Sequence, residues 1–259
     1  KEFENFIESN MQQALDSQRF EMVLQPKMDL QTNSVIAAEA LVRWRLEDGT
    51  YLPPSSFVNI FEKNRFCSKL DFYMLKKAIL QIREWIDMGM EPVNISVNQS
   101  KIVFYHENYI SELKSLLEEY NVSGSYITLE VLESTVIEDI DMFNSILTEV
   151  KKLGFSVSLD DFGSGYSSLN VLSKLQIDEL KIDRIFLHTK SEVDNQRTKW
   201  ILESIIEIAK KSQILVVVEG VESKQDDLFI KSLGADVGQG YFYGRPLSIS
   251  AFNDLIETK

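Results

Sequence analysis

Cysteine is almost missing from this 259-residue chain: Cys67 stands alone, so no internal disulfide can form and no cysteine-rich zinc site can be built. Stability must come from packing, the lone thiol reads as a buried structural one, and a reducing compartment is expected. Proline and glycine are also sparse, five and eleven residues spread thinly, with no Pro/Gly/Ser-rich linker to mark an internal boundary. One domain over residues 1–259 is the simplest organisation; because the chain starts at Lys1 rather than Met, residues 1–11 read as the end of a linker helix from something upstream. No run of about eighteen apolar residues occurs and no basic-then-apolar leader opens the chain, so it is expected to be cytoplasmic, neither spanning nor secreted. Basic residues are outnumbered, 27 Lys+Arg against 40 Asp+Glu, giving a net charge of −13. Broad attraction to nucleic acid polymers or an anionic membrane is therefore disfavoured, and an anionic ligand would have to be held locally.

What is present is an alternation of short β-branched runs with longer amphipathic segments. Strands are predicted near Phe20–Gln25, Val35–Val42, Pro92–Ile95, Tyr126–Val131, Phe155–Leu159, Glu179–Ile182, Ile214–Val218 and Val237–Gln239. Helical spacing appears over Lys69–Met88, Tyr109–Tyr120, Asp139–Leu153, Asn195–Lys211, Gln225–Leu233 and Ile249–Glu257. Gly154 and Gly234 each follow a basic or apolar last turn, as helix-stopping glycines do. Eight strands, each followed by helix, fit an α/β fold of the TIM-like (β/α)8 barrel type, with a doubly wound open sheet as the competitor.

In such a barrel the site is assembled where the strands run out. Strand two carries Glu39 and Arg43, strand three reads as ending at Asn94, strand four at Glu130, strand five at Asp160-Asp161, strand six at Lys181, strand seven at Glu219 and strand eight at Gln239. Any one of these carboxylates could be an ordinary strand-end acid paired with a lysine. Together they form a ring that cations must neutralise. Oxygen ligands without cysteine or a well-placed histidine select Mg²⁺ or Mn²⁺, and two successive aspartates suit two ions close together. Two ions and a positioned lysine equip a site for in-line attack of water on phosphorus, so the inferred reaction class is phosphoester hydrolysis. His106 and His188 lie away from the strand ends, and Trp44, Trp85 and Trp200 read as packing residues.

Several segments resemble the EAL domains, bacterial phosphodiesterases that linearise cyclic di-GMP. They are Glu39-Ala40-Leu41 with Arg43-Trp44, Val93-Asn94-Ile95-Ser96, Leu129-Glu130-Val131-Leu132-Glu133, Asp160-Asp161-Phe162-Gly163-Ser164-Gly165, Leu180-Lys181-Ile182-Asp183, Val218-Glu219-Gly220-Val221-Glu222 and Gly240-Tyr241-Phe242-Tyr243-Gly244-Arg245-Pro246. The resemblance implies a first strand antiparallel to the rest. It implies two Mg²⁺ or Mn²⁺ ions, with Ca²⁺ inhibitory, held by Glu39, Asn94, Glu130 and Asp160 on one side and by Asp160, Asp161 and Glu219 on the other. Catalytic roles fall to Lys181, Glu219 and Glu39, and substrate contacts to Gln25, Leu41, Arg43, Glu222, Gln239 and Pro246. Glu133 would steady the loop that begins at Asp161, with Gly163 and Gly165 supplying its backbone freedom. The implied product is 5′-pGpG, and the implied partners are a second copy of the chain and an upstream sensory or GGDEF domain. Leu132 stands where family members usually have Thr, Arg65 near a usual Gly, and Lys27 where an apolar residue is common. Arg65 and Lys27, read as lying near the rim, would touch substrate contacts or dimer packing. A catalytically silent receptor for cyclic di-GMP is the alternative.

Overall fold

Short apolar runs pair here into one closed sheet. The structure, a computed structural model, describes residues 1–136, 139–163, 172, 174–187 and 192–257, with backbone alone at 136 and 192–195. Its strands are β1 (Phe20–Asp29), β2 (Val35–Arg45), β3 (Tyr51–Leu52), β4 (Asn94–Asn98), β5 (Ile127–Leu132), β6 (Ser156–Phe162), β7 (Glu179–Ile182), β8 (Leu215–Val218) and β9 (Val237–Gln239). β3 is a short ribbon on the outer end of β2, and the other eight strands close into a barrel through β1, which pairs with both β2 and β9. β1 runs antiparallel to both neighbours while the remaining barrel strands are parallel.

The sense of β1 follows from its connection. A parallel crossover needs a dozen or more residues, but only a tight turn joins β1 to β2. The Asp29 carboxylate accepts the backbone N–H groups of Gln31 and Thr32 at 2.8 and 2.7 Å, and Asn33 takes a left-handed φ of 54°, so the chain must fold straight back.

The helices are α1 (Glu2–Asp16), α2 (Val58–Lys63), α3 (Cys67–Asp87), α4 (Lys101–Phe104), α5 (Tyr109–Tyr120), α6 (Glu133–Val136), α7 (Ile140–Lys152), α8 (Glu192–Lys211), α9 (Lys224–Ser232) and α10 (Ile249–Glu257). Among the described residues no helix is long and apolar enough to cross a membrane. The main core lies between barrel and helices: Ile95, Val97, Leu129, Val131, Leu159, Leu180 and Val216 on the strands, and Ile79, Ile82, Leu113, Leu147 and Ile206 on the helices, are all buried. Gly154 and Gly234 stop α7 and α9 with φ of 92° and 79°. Of residues 1–11, read above as a linker end, all but Lys1 belong to α1, which buries Ile7 and Ala14 and stacks Phe6 on Trp44. Trp44 and Trp85 are packing residues as expected, whereas Trp200 is 58% exposed on α8, a correction to its reading.

Arg65 follows α2 with a left-handed φ of 64°, a conformation that costs a side-chain-bearing residue about 1 kcal/mol and glycine little. Arg65→Gly is therefore expected to raise stability slightly, by about 0.5 kcal/mol at most, because the cost of glycine's freer unfolded chain offsets much of the relief. Chemical denaturation checks it: a loss of stability would mean that the arginine side chain makes a compensating contact.

Candidate metal centre

A barrel strand presents alternate residues to the interior, and here the inward positions near the C-terminal ends of the strands are the polar ones. The centre of the site is Lys181 of β7, 1% exposed. Its ammonium lies 3.2 Å from Glu39, 2.8 Å from Glu130, 3.1 Å from Asp160 and 2.9 Å from Glu219. Those acids come from β2, β5, β6 and the residue following β8, so the barrel itself converges them. Gln239 of β9 donates to Glu39 at 2.6 Å and faces Gln25 of β1. Asp161 joins by a different device. Consecutive strand residues normally point to opposite faces, but Asp161 takes a left-handed φ of 57°, and the β6–β7 register slips between Leu159 and Phe162. This bulge brings both aspartates to the same rim, and Asp161 donates its backbone N–H to the Asp160 carboxylate at 2.8 Å. Gly163, with φ of 96°, follows at a point where a Cβ would strike the Phe186 ring. Gly165 lies outside the described residues, as do His188 and most of the loop that Glu133 was expected to steady; Glu133 itself is buried at the start of α6.

Two groups of carboxylates are each close enough to share one ion: Glu39, Glu130 and Asp160, and Asp160, Asp161 and Glu219, their ligand atoms within 4.8 Å of one another. Asp160 belongs to both. Four of these carboxylates lie within 3.2 Å of the Lys181 ammonium, an excess of acidic groups over ammonium that divalent cations would neutralise. An all-oxygen donor set of this kind suits a hard divalent cation.

The strand-three assignment needs correcting. Asn94 opens β4 rather than ending it, at the opposite end of the barrel, where its side chain accepts from Thr128 at 2.8 Å and donates to the Ser125 carbonyl at 3.1 Å. At about 3.3 Å per residue it sits some 13 Å along the strand from the rim. The asparagine at the rim is Asn98, which donates to Glu39 at 3.1 Å. The signal was legible: Asn94, Ser96 and Asn98 alternate with Ile95 and Val97, so the strand continues past its first polar residue. Lys27 is corrected too. It lies in the barrel interior beneath the carboxylates, 1% exposed, and not near the rim.

The electrostatics follow from burial against charge. Burial alone would push Glu130 up, but the Lys181 and Lys27 ammonium groups hold it down at about 2. Burial and the neighbouring acids raise Glu39 and Asp160, opposed by Lys181, and burial with Asp183 raises Asp161. Glu219 is pushed up to about 8, by burial first and then by Asp160 and Glu39, against the pull of Lys181. Metal binding to the free protein must therefore displace a proton, and affinity is expected to rise with pH through about 8, by roughly tenfold between pH 7 and pH 9. Calorimetric titrations in buffers of different ionisation heat check this. Affinity independent of pH over that range would mean that Glu219 is already ionised at pH 7 or takes no part in binding.

Two cavities flank the centre. One of about 510 Å³ runs past Leu41, Phe61, Asp71, Asn98, Leu132 and Asp161; the other, about 260 Å³ and more polar, is lined by Gln25, Glu39, Glu219, Glu222, Gln239 and Tyr241. Sequence reasoning missed Asp71, partly buried on α3 and raised to about 7 by burial of its carboxyl, which accepts the Ser100 N–H at 2.8 Å. Arg43 is half-buried with its guanidinium on the Val42 carbonyl, Glu222 is exposed, and Pro246 is half-buried beside Arg245, which stacks on Tyr241 at 4.2 Å. Leu132, at 38% exposed, forms part of the wall of the larger cavity.

An eight-stranded barrel with one reversed strand and a rim that can seat two divalent ions defines the class: a TIM-like barrel with an acidic metal centre. The EAL domain model matches residues 8–246, and the chain belongs to the EAL domain family. From Pseudomonas aeruginosa, the cyclic di-GMP phosphodiesterase NbdA is 33% identical over 250 residues, 96% of this chain and 32% of NbdA. The bifunctional diguanylate cyclase/cyclic di-GMP phosphodiesterase MucR of the same organism is 32% identical, covering 92% of this chain and 34% of MucR. The solved c-di-GMP complex of the PaMucR phosphodiesterase superposes with a TM-score of 0.87 at 32% identity, covering 95% of this chain and 99% of that one. The chain thus spans about a third of the length of the curated relatives it matches.

Proposed function

We propose that this chain is a metal-dependent phosphodiesterase that opens cyclic di-GMP to linear 5′-pGpG. The observation that carries the reading is the pair of carboxylate trios sharing Asp160 around a buried lysine, which is more than binding a cyclic dinucleotide would require. Glu39, Asn98, Glu130 and Asp160 would hold one ion, and Asp160, Asp161 and Glu219 the other. Two divalent ions bound there supply positive charge at the reacting phosphorus and help to activate water. Mg²⁺ or Mn²⁺ would serve, and Ca²⁺ would inhibit, because its larger and more loosely ordered shell fits a compact site poorly.

The residues of the chain then divide the work. Lys181, freed from part of its carboxylate contacts, orients the attacking water and offsets charge on the phosphate oxygens; Glu39 and Glu219 flank it. Water attacks phosphorus, the bond to the 3′ oxygen breaks, and the proton ends on the 3′ hydroxyl. Arg43 adds a local cation for the phosphates in a chain of net charge −13. The two flanking cavities would take the two bases of a cyclic dinucleotide, with Leu41 and Leu132 on one side and Gln25, Glu222 and Gln239 on the other, and Pro246 is assigned to substrate contact by the same reading. A homodimer, an upstream sensory or GGDEF domain and a cytoplasmic location belong to the same reading; the name of the relative MucR joins both activities in one protein.

Chromatography of cyclic di-GMP incubated with the purified chain in Mg²⁺, in Mn²⁺, in Ca²⁺ and in EDTA tests the proposal. Appearance of pGpG with Mg²⁺ or Mn²⁺ only is the expected result. Tight binding without product would make the chain a receptor, and neither binding nor product would sink both readings.

A further inference from the structure

Beneath the metal centre lies a second buried ammonium. Lys27, on β1, donates to the Ser96 hydroxyl at 2.7 Å, to Glu130 Oε1 at 2.8 Å and to Glu179 Oε1 at 2.9 Å. Lys27, Glu130 and Ser96 are each 1% exposed and Glu179 is 8% exposed, so these contacts are shut off from bulk water. An ammonium has three hydrogens, and here all three are used. The two oxygens of Glu130 are thereby divided: Oε1 faces down to Lys27, and Oε2 faces up to Lys181 at 2.8 Å.

The two lysines are not equivalent toward an incoming cation. Lys181 stands among the carboxylates of both trios and must give way in part when divalent charge arrives. Lys27 stands outside both trios and has Ser96 and Glu179 to hold it in place. It has no reason to move.

We infer that Lys27 is a positioning residue that keeps Glu130 Oε1 occupied, leaves Oε2 as the one oxygen offered to metal, and so biases the centre toward Mg²⁺ and against Ca²⁺. The inference rests on the proposed metal-dependent reading of the site. Its chemical basis is that Mg²⁺ takes single oxygens in a tight octahedron, whereas Ca²⁺ gains from carboxylates that offer both oxygens and from seven- or eight-fold shells. With Lys27 in place, Glu130 cannot turn to chelate. Without it, both Glu130 oxygens become available at the bottom of the site.

The test is calorimetric titration of the metal-stripped chain with Mg²⁺ and, separately, Ca²⁺, for wild type, Lys27→Met, and Lys27→Met combined with Glu179→Gln, which removes the carboxylate that the first change leaves unpaired. Melting temperatures are recorded alongside. The expected result is a rise of about tenfold in Ca²⁺ affinity relative to Mg²⁺ in both variants, a ratio that loss of packing alone would not move. A ratio within about twofold of wild type in a folded variant overturns the inference. Wild type that binds neither ion ends the metal-dependent reading as well, so the two failures are distinguishable. Should neither variant fold, a crystal structure of wild type grown with Ca²⁺ decides: Glu130 Oε1 still on Lys27 supports the inference, and both Glu130 oxygens on the ion overturn it.

Discussion

Asp160→Asn is expected to lower turnover of cyclic di-GMP by about 10³-fold or more while leaving the chain folded, which corresponds to a loss of about 4 kcal/mol of transition-state stabilisation. Asp160 is the one carboxylate common to both trios, so its charge is the one both ions would lose together. Asparagine keeps the shape and the oxygen that accepts the Asp161 N–H at 2.8 Å, so the bulge that presents Asp161 need not collapse. Asp161→Asn touches one trio only and leaves the other complete, so its loss should be smaller. Glu222→Ala, outside both trios and exposed in the mouth of the smaller cavity, is expected to act on KM more than on kcat. Steady-state kinetics in saturating Mg²⁺, with calorimetric metal binding beside it, separates these outcomes. Retention of a tenth or more of wild-type kcat in Asp160→Asn would mean that the two trios do not act as one centre.

Which parts of this site could be read from the chain is a matter of strand periodicity. Glu130, Lys181, Glu219 and Gln239 were found because each lies at or near the end of a short apolar strand, and Glu39 because it is the acid within the apolar second strand. Asn98 was missed because β4 carries polar residues on its inward face from its first position. Asn94 then looks like a strand end when it is a strand beginning, and only continued alternation through Ser96 places the rim four residues later. Lys27 was misread for a related reason: the first strand was read as stopping at Gln25, yet it continues to Asp29 and carries Lys27 down into the barrel. The acids read as a single rim are in fact the top of a two-layer polar interior. Its lower layer, Lys27, Ser96 and Glu179, is invisible to any search for polar residues where strands run out. The helices were easier. α5 and α10 begin and end where their apolar spacing does, whereas α1 and the short α2, α4 and α6 are set by docking and capping that spacing does not encode.

Lys181→Met should show its largest structural effect in the metal-free protein at alkaline pH. One ammonium, 1% exposed, contacts Glu39, Glu130, Asp160 and Glu219, and replacing it with an apolar chain of similar length leaves these acids without their central counter-charge. Breaking a buried pair by removing one partner costs about 3–5 kcal/mol, and at about 2–4 °C per kcal/mol for a chain of this size the melting temperature should fall on the order of 10 °C in EDTA at pH 8. The acids have a way out, which is to bind protons. Glu219 already holds its proton up to about pH 8 in the folded wild type, where an unfolded glutamate releases it near 4.5. A carboxyl raised in this way contributes stability that is present below about pH 4.5 and is lost as pH rises through about 8. Removing Lys181 pushes the remaining acids in the same direction, so the difference between variant and wild type should be small at pH 5 and widen toward pH 8. Mg²⁺ should recover much of the loss at pH 8, because divalent charge replaces the missing ammonium and stabilises the folded state in proportion to its occupancy. Activity should not return with it, since the ion restores charge balance among the carboxylates without restoring a donor beside the attacking water. A melting temperature equal to wild type at pH 8 in EDTA would show that these carboxylates are not forced together in the free protein.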